Sequence, residues 1–397
     1  MVKLTRKLET IEPSATLAIT ALAIKMKREG KDVISLSAGE PDFPTPRNIK
    51  DEAIKAIEND FTHYTPESGI TELKEAIAEK FEKEWGIKYN VNEVIISNGA
   101  KHVIFNALFA LCDEGDEVLV ITPAWVSYIE QIKLAGGKPV IVETKEDNDF
   151  IPDPKEVERK ISPKTKAIIL NSPHNPTGAV YPKDVLIKIA ETATSKGVFI
   201  ISDEIYDKLS YDEECVPLVH LIPEAKENIL IVNGASKAYA MTGWRMGWGL
   251  GPANLIKAMG IIQGHMTSNP CSISQKAALE AVRGPQDEVT EMAREFKERR
   301  ELICSLLEKA PYMTFRKPKG AFYLFPNITK ALGKSFKGEV IEDDITLARK
   351  LLEEKLVAIV PGKAFLAPGY IRISYAASRK DIEEASKRII EFLEELV

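Results

Sequence analysis

Cysteine is scarce in this chain of 397 residues: Cys112, Cys215, Cys271 and Cys304 lie far apart, with no CxxC pair among them. That spacing offers neither a zinc site nor a disulfide framework, and it fits a reducing compartment with free, mostly buried thiols. No apolar run is long enough to cross a bilayer, and the basic start of the chain meets Glu9, Glu12 and Pro13 instead of the hydrophobic core of an export signal. No membrane partner is therefore expected, and the expected location is cytoplasmic. A stripe of Lys and Arg interleaved with aromatics is also missing, and a formal charge of -6 gives no general attraction to nucleic acid. Internal repeats and low-complexity tracts are absent. What is present, 44% hydrophobic and 28% charged residues, is the composition of a folded globular protein long enough for two domains.

From about residue 94 to 251, short apolar runs alternate with helical patterns: Val94 to Ser97, Val118 to Ile121, Pro139 to Val142, Ala167 to Leu170, Val198 to Ile201 and Ile229 to Val232. Continuous rather than alternating apolar strands imply burial on both faces. The expected fold class is α/β, a mainly parallel sheet between helices, with ligands beyond the carboxyl ends of the strands. After residue 285 the texture changes to a long charged helix (Asp287 to Lys309), strands at Ala321 to Phe325, Val357 to Val360 and Tyr370 to Ser374, and a helix from Ser378. The boundaries expected from this are a large domain over 47–285, and a smaller α/β domain made from 286–397 with the N-terminal segment 1–46.

Three motifs fall just past expected strand ends: Asn171-Ser-Pro-His-Asn-Pro-Thr-Gly178, Ser202-Asp-Glu-Ile-Tyr206 and Ser236-Lys-Ala-Tyr-Ala-Met-Thr-Gly-Trp-Arg245. In their order and spacing the chain resembles the class I aminotransferases of the pyridoxal 5′-phosphate (PLP) fold type I, from the Gly39-Glu-Pro-Asp42 loop to the Arg372 strand. The resemblance implies PLP as cofactor and assigns roles that the chemistry of PLP explains. A Schiff base needs a primary amine that can lose its proton, which Lys237 supplies. An electron sink needs a protonated pyridine nitrogen, which a carboxylate at Asp203 favours, although a strand-end acid can equally cap a helix. Tyr206 and Asn175 are placed on the cofactor's phenolic oxygen, a packed aromatic being the alternative for Tyr206. Ser236, Arg245 and the strand-to-helix turn Gly99-Ala-Lys101 are placed around the phosphate. Trp125 is the ring expected to stack on the cofactor, or else a core tryptophan. Tyr64 resembles the tyrosine given to the neighbouring subunit's phosphate, which implies a homodimer with shared sites.

Substrate recognition requires a partner for a carboxylate. In Tyr370-Ile-Arg-Ile-Ser-Tyr375, alternation puts Arg372 and Ser374 opposite Ile371, Ile373 and Tyr375, away from the core. The resemblance assigns Arg372 to the α-carboxylate with help from Asn175 and the Gly39 backbone; a solvated strand arginine is the alternative. His174 stands where many relatives carry asparagine, and a structural role is expected for it. The position of the partner-subunit arginine that binds a distal carboxylate in animal-type members is Gly264 here. The bacterial branch uses a threonine and a lysine instead, and Thr16 and Lys101 occupy those positions. This pair implies aspartate with 2-oxoglutarate, through a ping-pong transfer; prephenate, an aromatic or broad amino-acid range, and a β-lyase reaction are the alternatives. A PLP-sensing regulator would carry an added DNA-binding unit, and the first ninety residues contain no such basic segment.

Overall fold

In the computed structural model residue 5, residues 10 to 12 and residues 15 to 397 are described, without the side chains of 15 to 18. Seven strands, β1 Val94–Asn98, β2 Glu117–Thr122, β3 Lys138–Glu143, β4 Thr165–Asn171, β5 Phe199–Asp203, β6 Ile229–Gly234 and β7 Met246–Leu250, form one sheet in the order β1-β7-β6-β5-β4-β2-β3. Only β7 runs against the others, pairing antiparallel with both β1 and β6. The six expected runs all lie in strands, apart from Val198, which precedes β5.

The continuous apolar character of these strands has the physical cause expected of it. Ile95, Val118, Val120, Ile169 and Ile201 pack on one side with Val103, Ala107 and Met259, from helices Ala100–Leu111 and Ala253–Met266. Their neighbours Ile96, Leu119, Ile121, Ile168 and Ile200 pack on the other side with Leu73, Ile77, Ile189 and Ala277. Each such residue contributes about 1.5–3 kcal/mol on burial, which makes this double-sided core the main source of stability.

Strand β7 was not expected, because Gly247 and Gly249 break any β-branched run. Those glycines have a packing purpose. A Cβ on Gly247 would lie 2.2 Å from the Ala100 nitrogen and 2.3 Å from the Gly99 carbonyl carbon, and one on Gly249 would lie 2.9 Å from the Val103 side chain. The bare strand lets the start of helix Ala100–Leu111 settle directly onto the sheet.

A second core gathers Phe296, Ile303, Phe322, Ile371, Ile373, Ile382, Ile389 and Phe392. It contains the helices Asp287–Leu307 and Arg379–Glu394, the latter capped by Ser378 accepting from the Asp381 amide at 3.1 Å. Its antiparallel sheet joins β8 Tyr323–Leu324, β9 Val360–Pro361 and β10 Ile371–Ser374, in the order β9-β10-β8. The expected strand at 357–360 is split: Val357–Ala358 pairs in parallel with Ile34–Ser35, tying the N-terminal segment to this part of the chain. Both faces of β10 are buried, so the expectation that Arg372 avoids the core needs correction. Its face turns inward onto a cavity and is enclosed by Tyr323 and Phe365. The cysteines are free, but only Cys112 is buried; Cys215 and Cys304 are half-buried, and Cys271 is exposed where the chain enters helix Ser272–Arg283 at the surface. Among the described residues no helix is long and apolar enough to cross a membrane.

The close approach at β7 yields a prediction. Gly247→Ala should lower the unfolding free energy by about 1–3 kcal/mol, the usual cost of overpacking. Chemical denaturation of the variant checks this, and an unchanged midpoint would mean that the helix can lift away from β7.

Candidate active site

The carboxyl ends of six strands and the beginning of the reversed β7 meet along one edge of the large sheet, and a cavity of about 360 Å³ lies there. Strand ends deliver Asp203 from β5 and Asn171 from β4, the turn after β6 delivers Ser236 and Lys237, and Arg245 directly precedes β7. Gly39, Tyr323 and Arg372 close the opposite wall. The cavity is therefore bounded by both cores.

Lys237 projects from the short helix Ala235–Ala238, and its Nζ donates to the Gly39 carbonyl. Burial pushes the amine down to about 8, against the opposing pull of Glu40. A usable share of it is then neutral near physiological pH, as a nucleophile requires. Asp203 is 3% exposed and accepts from Tyr128 Oη at 2.6 Å and from the Ile205 amide at 3.2 Å. Burial raises its carboxyl to about 6 despite those donors, so a further positive group beside it would favour the ionised form. Tyr206 is buried, and its hydroxyl lies 2.8 Å from that of Tyr323.

Arg372 is 2% exposed. Its Nη1 donates to Asn175 Oδ1 at 3.1 Å and its Nη2 to the Ser37 carbonyl at 2.8 Å, while the guanidinium lies 4.3 Å from the centre of the Tyr323 ring and 4.9 Å from that of Phe365. Nε has no partner. Among the described residues no carboxylate pairs with it, and burial lowers its pKa accordingly. Arg300, equally buried, shows the contrast: Asp212 and Glu301 both pair with it. A buried guanidinium without an acid is costly unless an anion arrives to complete it.

At the other end, Arg245 is exposed and among the described residues bonds only to carbonyls, Thr242 at 2.7 Å and Asn98 at 3.4 Å. Beside it Gly99 takes φ 83, a conformation favouring glycine, and opens helix Ala100–Leu111. The Gly99 amide donates to the Ser97 carbonyl at 2.7 Å. The Ala100 and Lys101 amides, in the helix's first turn, remain for an anion. Lys101 lies at the cavity wall with its Nζ 4.8 Å from the centre of the half-buried Trp125 ring.

Tyr64 is 92% exposed and lines no part of this cavity. The Thr16 side chain lies outside the described residues. His174 is buried 2.7 Å from Thr177 Oγ1, away from the cavity wall, and burial drives its imidazole down to about 3. At Gly264 a Cβ would meet the Glu67 carboxylate at 2.8 Å. Sequence reasoning missed Tyr128, Tyr323, Glu40 and Thr242, all of which line the cavity. Tyr128 lies one helical turn beyond Trp125, a spacing that could have flagged it.

The cofactor implied by the sequence fits these groups. Arg245, Ser236 and two helix-end amides would suit its phosphate, a buried acid short of positive partners its pyridine nitrogen, and an amine of lowered pKa its carbonyl carbon. Comparison with known proteins agrees. Residues 31–389 match the family described as aminotransferase class I and II. An aspartate aminotransferase of Geobacillus stearothermophilus is 48% identical over 99% of both chains, and a probable aspartate/prephenate aminotransferase of Rickettsia felis is 47% identical over 96% of this chain and 94% of the other. Among solved structures, the aspartate aminotransferase of Thermus thermophilus with maleate superposes with a TM-score of 0.92 at 42% identity, covering 99% of this chain and 100% of that one. That of Rhizobium meliloti gives 0.95 at 41%, covering 100% of both. Site, sheet and sequence thus point the same way, and the chain belongs to the class I and II aminotransferases, working with pyridoxal 5′-phosphate as its cofactor.

Proposed function

We propose that the enzyme transfers the amino group of aspartate to 2-oxoglutarate in two half-reactions through one cavity, with the cofactor held on Lys237. The observation that carries this reading is the buried Arg372 in a cavity that holds a second cation, Lys101, neither of them paired with a carboxylate among the described residues. Two cations suit a substrate with two carboxylates. The names of the relatives support the choice of aspartate.

When bound, the cofactor supplies an electron sink for negative charge at the substrate's α-carbon. Arg372, its fork held by Ser37 and Asn175, binds the α-carboxylate, and the Gly39 amide assists. Lys101, with Thr16, receives the distal carboxylate. Lys237 moves the proton at Cα, and Asp203, ionised by its cationic neighbour, holds a proton on the ring nitrogen. Tyr206 and Asn175 serve the phenolic oxygen, Trp125 covers the ring, and Ser236, Arg245, Ala100 and Lys101 hold the phosphate. Gly99 acts by shaping that turn. The exposed Tyr64 supports a homodimer in which each subunit completes the other's phosphate site. On this reading 47–285 is the large domain, and 1–46 with 286–397 the small one. The four free thiols support a cytoplasmic setting.

Prephenate as amino acceptor is the second reading, favoured by the Rickettsia relatives and by the same two cations. A titration decides: aspartate, glutamate, phenylalanine, alanine and a cysteine thioether are each added to purified holoenzyme and the 2-oxo products identified. Acidic amino acids should react fastest, after which 2-oxoglutarate and prephenate are compared as acceptors. Fast reaction of phenylalanine would instead mean a broad or aromatic specificity, and pyruvate with ammonia from the thioether would mean a β-lyase.

Two further outcomes are expected. Arg372→Lys should lower kcat/KM for aspartate on the order of 10²- to 10³-fold, roughly 3–4 kcal/mol, while cofactor content stays constant. A loss below about tenfold would remove the α-carboxylate from Arg372. Cofactor capture by the apoenzyme should quicken about tenfold per pH unit and level off near the Lys237 pKa of about 8, because only the neutral amine attacks. An ordinary lysine near 10.5 would show no such plateau. After borohydride treatment the wild-type chain should gain the cofactor's mass less one oxygen, water being lost on joining and two hydrogens added on reduction, and Lys237→Ala should not.

A further inference from the structure

Tyr206, from the turn after β5, and Tyr323, on β8, are both buried at the cavity wall and share one hydrogen bond of 2.8 Å. A single proton lies between the two oxygens, so one phenol donates and the other keeps its own O–H for another acceptor. The neighbours decide which. The Arg372 guanidinium lies 4.3 Å from the centre of the Tyr323 ring, and a nearby cation makes a phenol a stronger acid and a better donor. The charges around the pair are Arg372 on β10, Asp203 at the end of β5, Glu40 in the N-terminal loop and Lys237, whose Nζ is 5.8 Å from the centre of the Tyr206 ring. Burial raises both phenols, Arg372 lowers both, and Asp203 opposes ionisation of Tyr206, which is pushed well above the ordinary range. Tyr323 is also held in place: a Cβ on Gly39 would sit 2.9 Å from its hydroxyl, so the N-terminal loop packs against the oxygen.

We propose that Tyr323 is a positioning residue that donates its proton to the Tyr206 oxygen, leaving the Tyr206 O–H committed to the cavity. The arrangement strengthens Tyr206 as a donor, because a hydroxyl that accepts a hydrogen bond gives a stronger one. The hydroxyl that directs Tyr206 is also carried on the ring that lies beneath Arg372. The proposal rests on the reading that Tyr206 donates to the cofactor's phenolic oxygen, where its hydrogen bond competes with the proton shared by that oxygen and the Lys237 nitrogen.

The test is the pH of the holoenzyme's visible absorbance transition in Tyr323→Phe, Tyr206→Phe and the double variant, together with the affinity for maleate. Tyr323→Phe should move the transition upward by about half to one pH unit, the worth of one weakened hydrogen bond. Tyr206→Phe should move it at least as far, and adding Tyr323→Phe to Tyr206→Phe should change nothing more. Maleate affinity should stay within about twofold in Tyr323→Phe, since the ring beneath Arg372 is retained. A shift in Tyr206→Phe with none in Tyr323→Phe overturns the inference alone. No shift in Tyr206→Phe overturns the inference together with the reading beneath it. A further shift in the double variant, or a loss of maleate affinity matching the shift, would show that Tyr323 acts through another group.

Discussion

Burying the Arg372 guanidinium between Tyr323 and Phe365 with only neutral oxygens to bond to is the constraint on which the site depends. Removing a charge from water without an opposite charge beside it costs several kcal/mol, and the rest of the fold has to offset that cost. The chain could have placed an acid there, as it does for Arg299 with Asp42 and Glu295, and for Arg300 with Asp212 and Glu301. Instead, among the described residues, four basic side chains reach the cavity wall, Lys101, Lys237, Arg245 and Arg372, and none is in a salt bridge. The acids there, Asp203 and Glu40, bond to hydroxyls and an amide. An unbalanced positive cavity in a chain of net charge -6 is a site built for anionic ligands at both ends.

The offset comes from two apolar cores that meet at this cavity. The large sheet supplies strands buried on both faces, and its shared carboxyl edge lets loops from distant points of the chain converge without strain. The second core brings Tyr323 and Arg372 on short antiparallel strands. Between them the 39–45 loop bonds to both sides, through Glu40 to Thr242 and Thr45 to the Ala240 carbonyl, and through Asp42 to Arg299. Rigid elements therefore fix the groups that bind, while this loop bonds to both walls of the cavity.

Much of this was legible in the sequence, and the parts that were not share a cause. Strands such as Val118 to Ile121 announce themselves because burial on both faces demands continuous apolar residues. Lys237, Asp203 and Arg245 stand out because their motifs are contiguous. Strand β7 was hidden because close contact with a helix replaced its β-branched residues by Gly247 and Gly249. Tyr128 and Tyr323 were hidden because a phenol's role depends on which oxygen it meets, Asp203 and Tyr206 here, and those partners are 75 and 117 residues away. The inward face of β10 was misjudged for a related reason: alternation along one strand shows that two faces differ, and cannot show what covers the second.

The reversed strand β7 has a consequence for the order in which the molecule can assemble. Strand β1 touches the sheet only through β7, some 150 residues later in the chain. The first turn of the helix that begins at Ala100 has no strand beneath it, and Asn98 no contact with Arg245, until that late strand is slotted between β1 and β6. The half of the cavity that receives the phosphate is thus a long-range closure, slow by topology. The wall carrying Arg372 comes later still in the chain, so the two ends of the cavity are completed by separate long-range contacts.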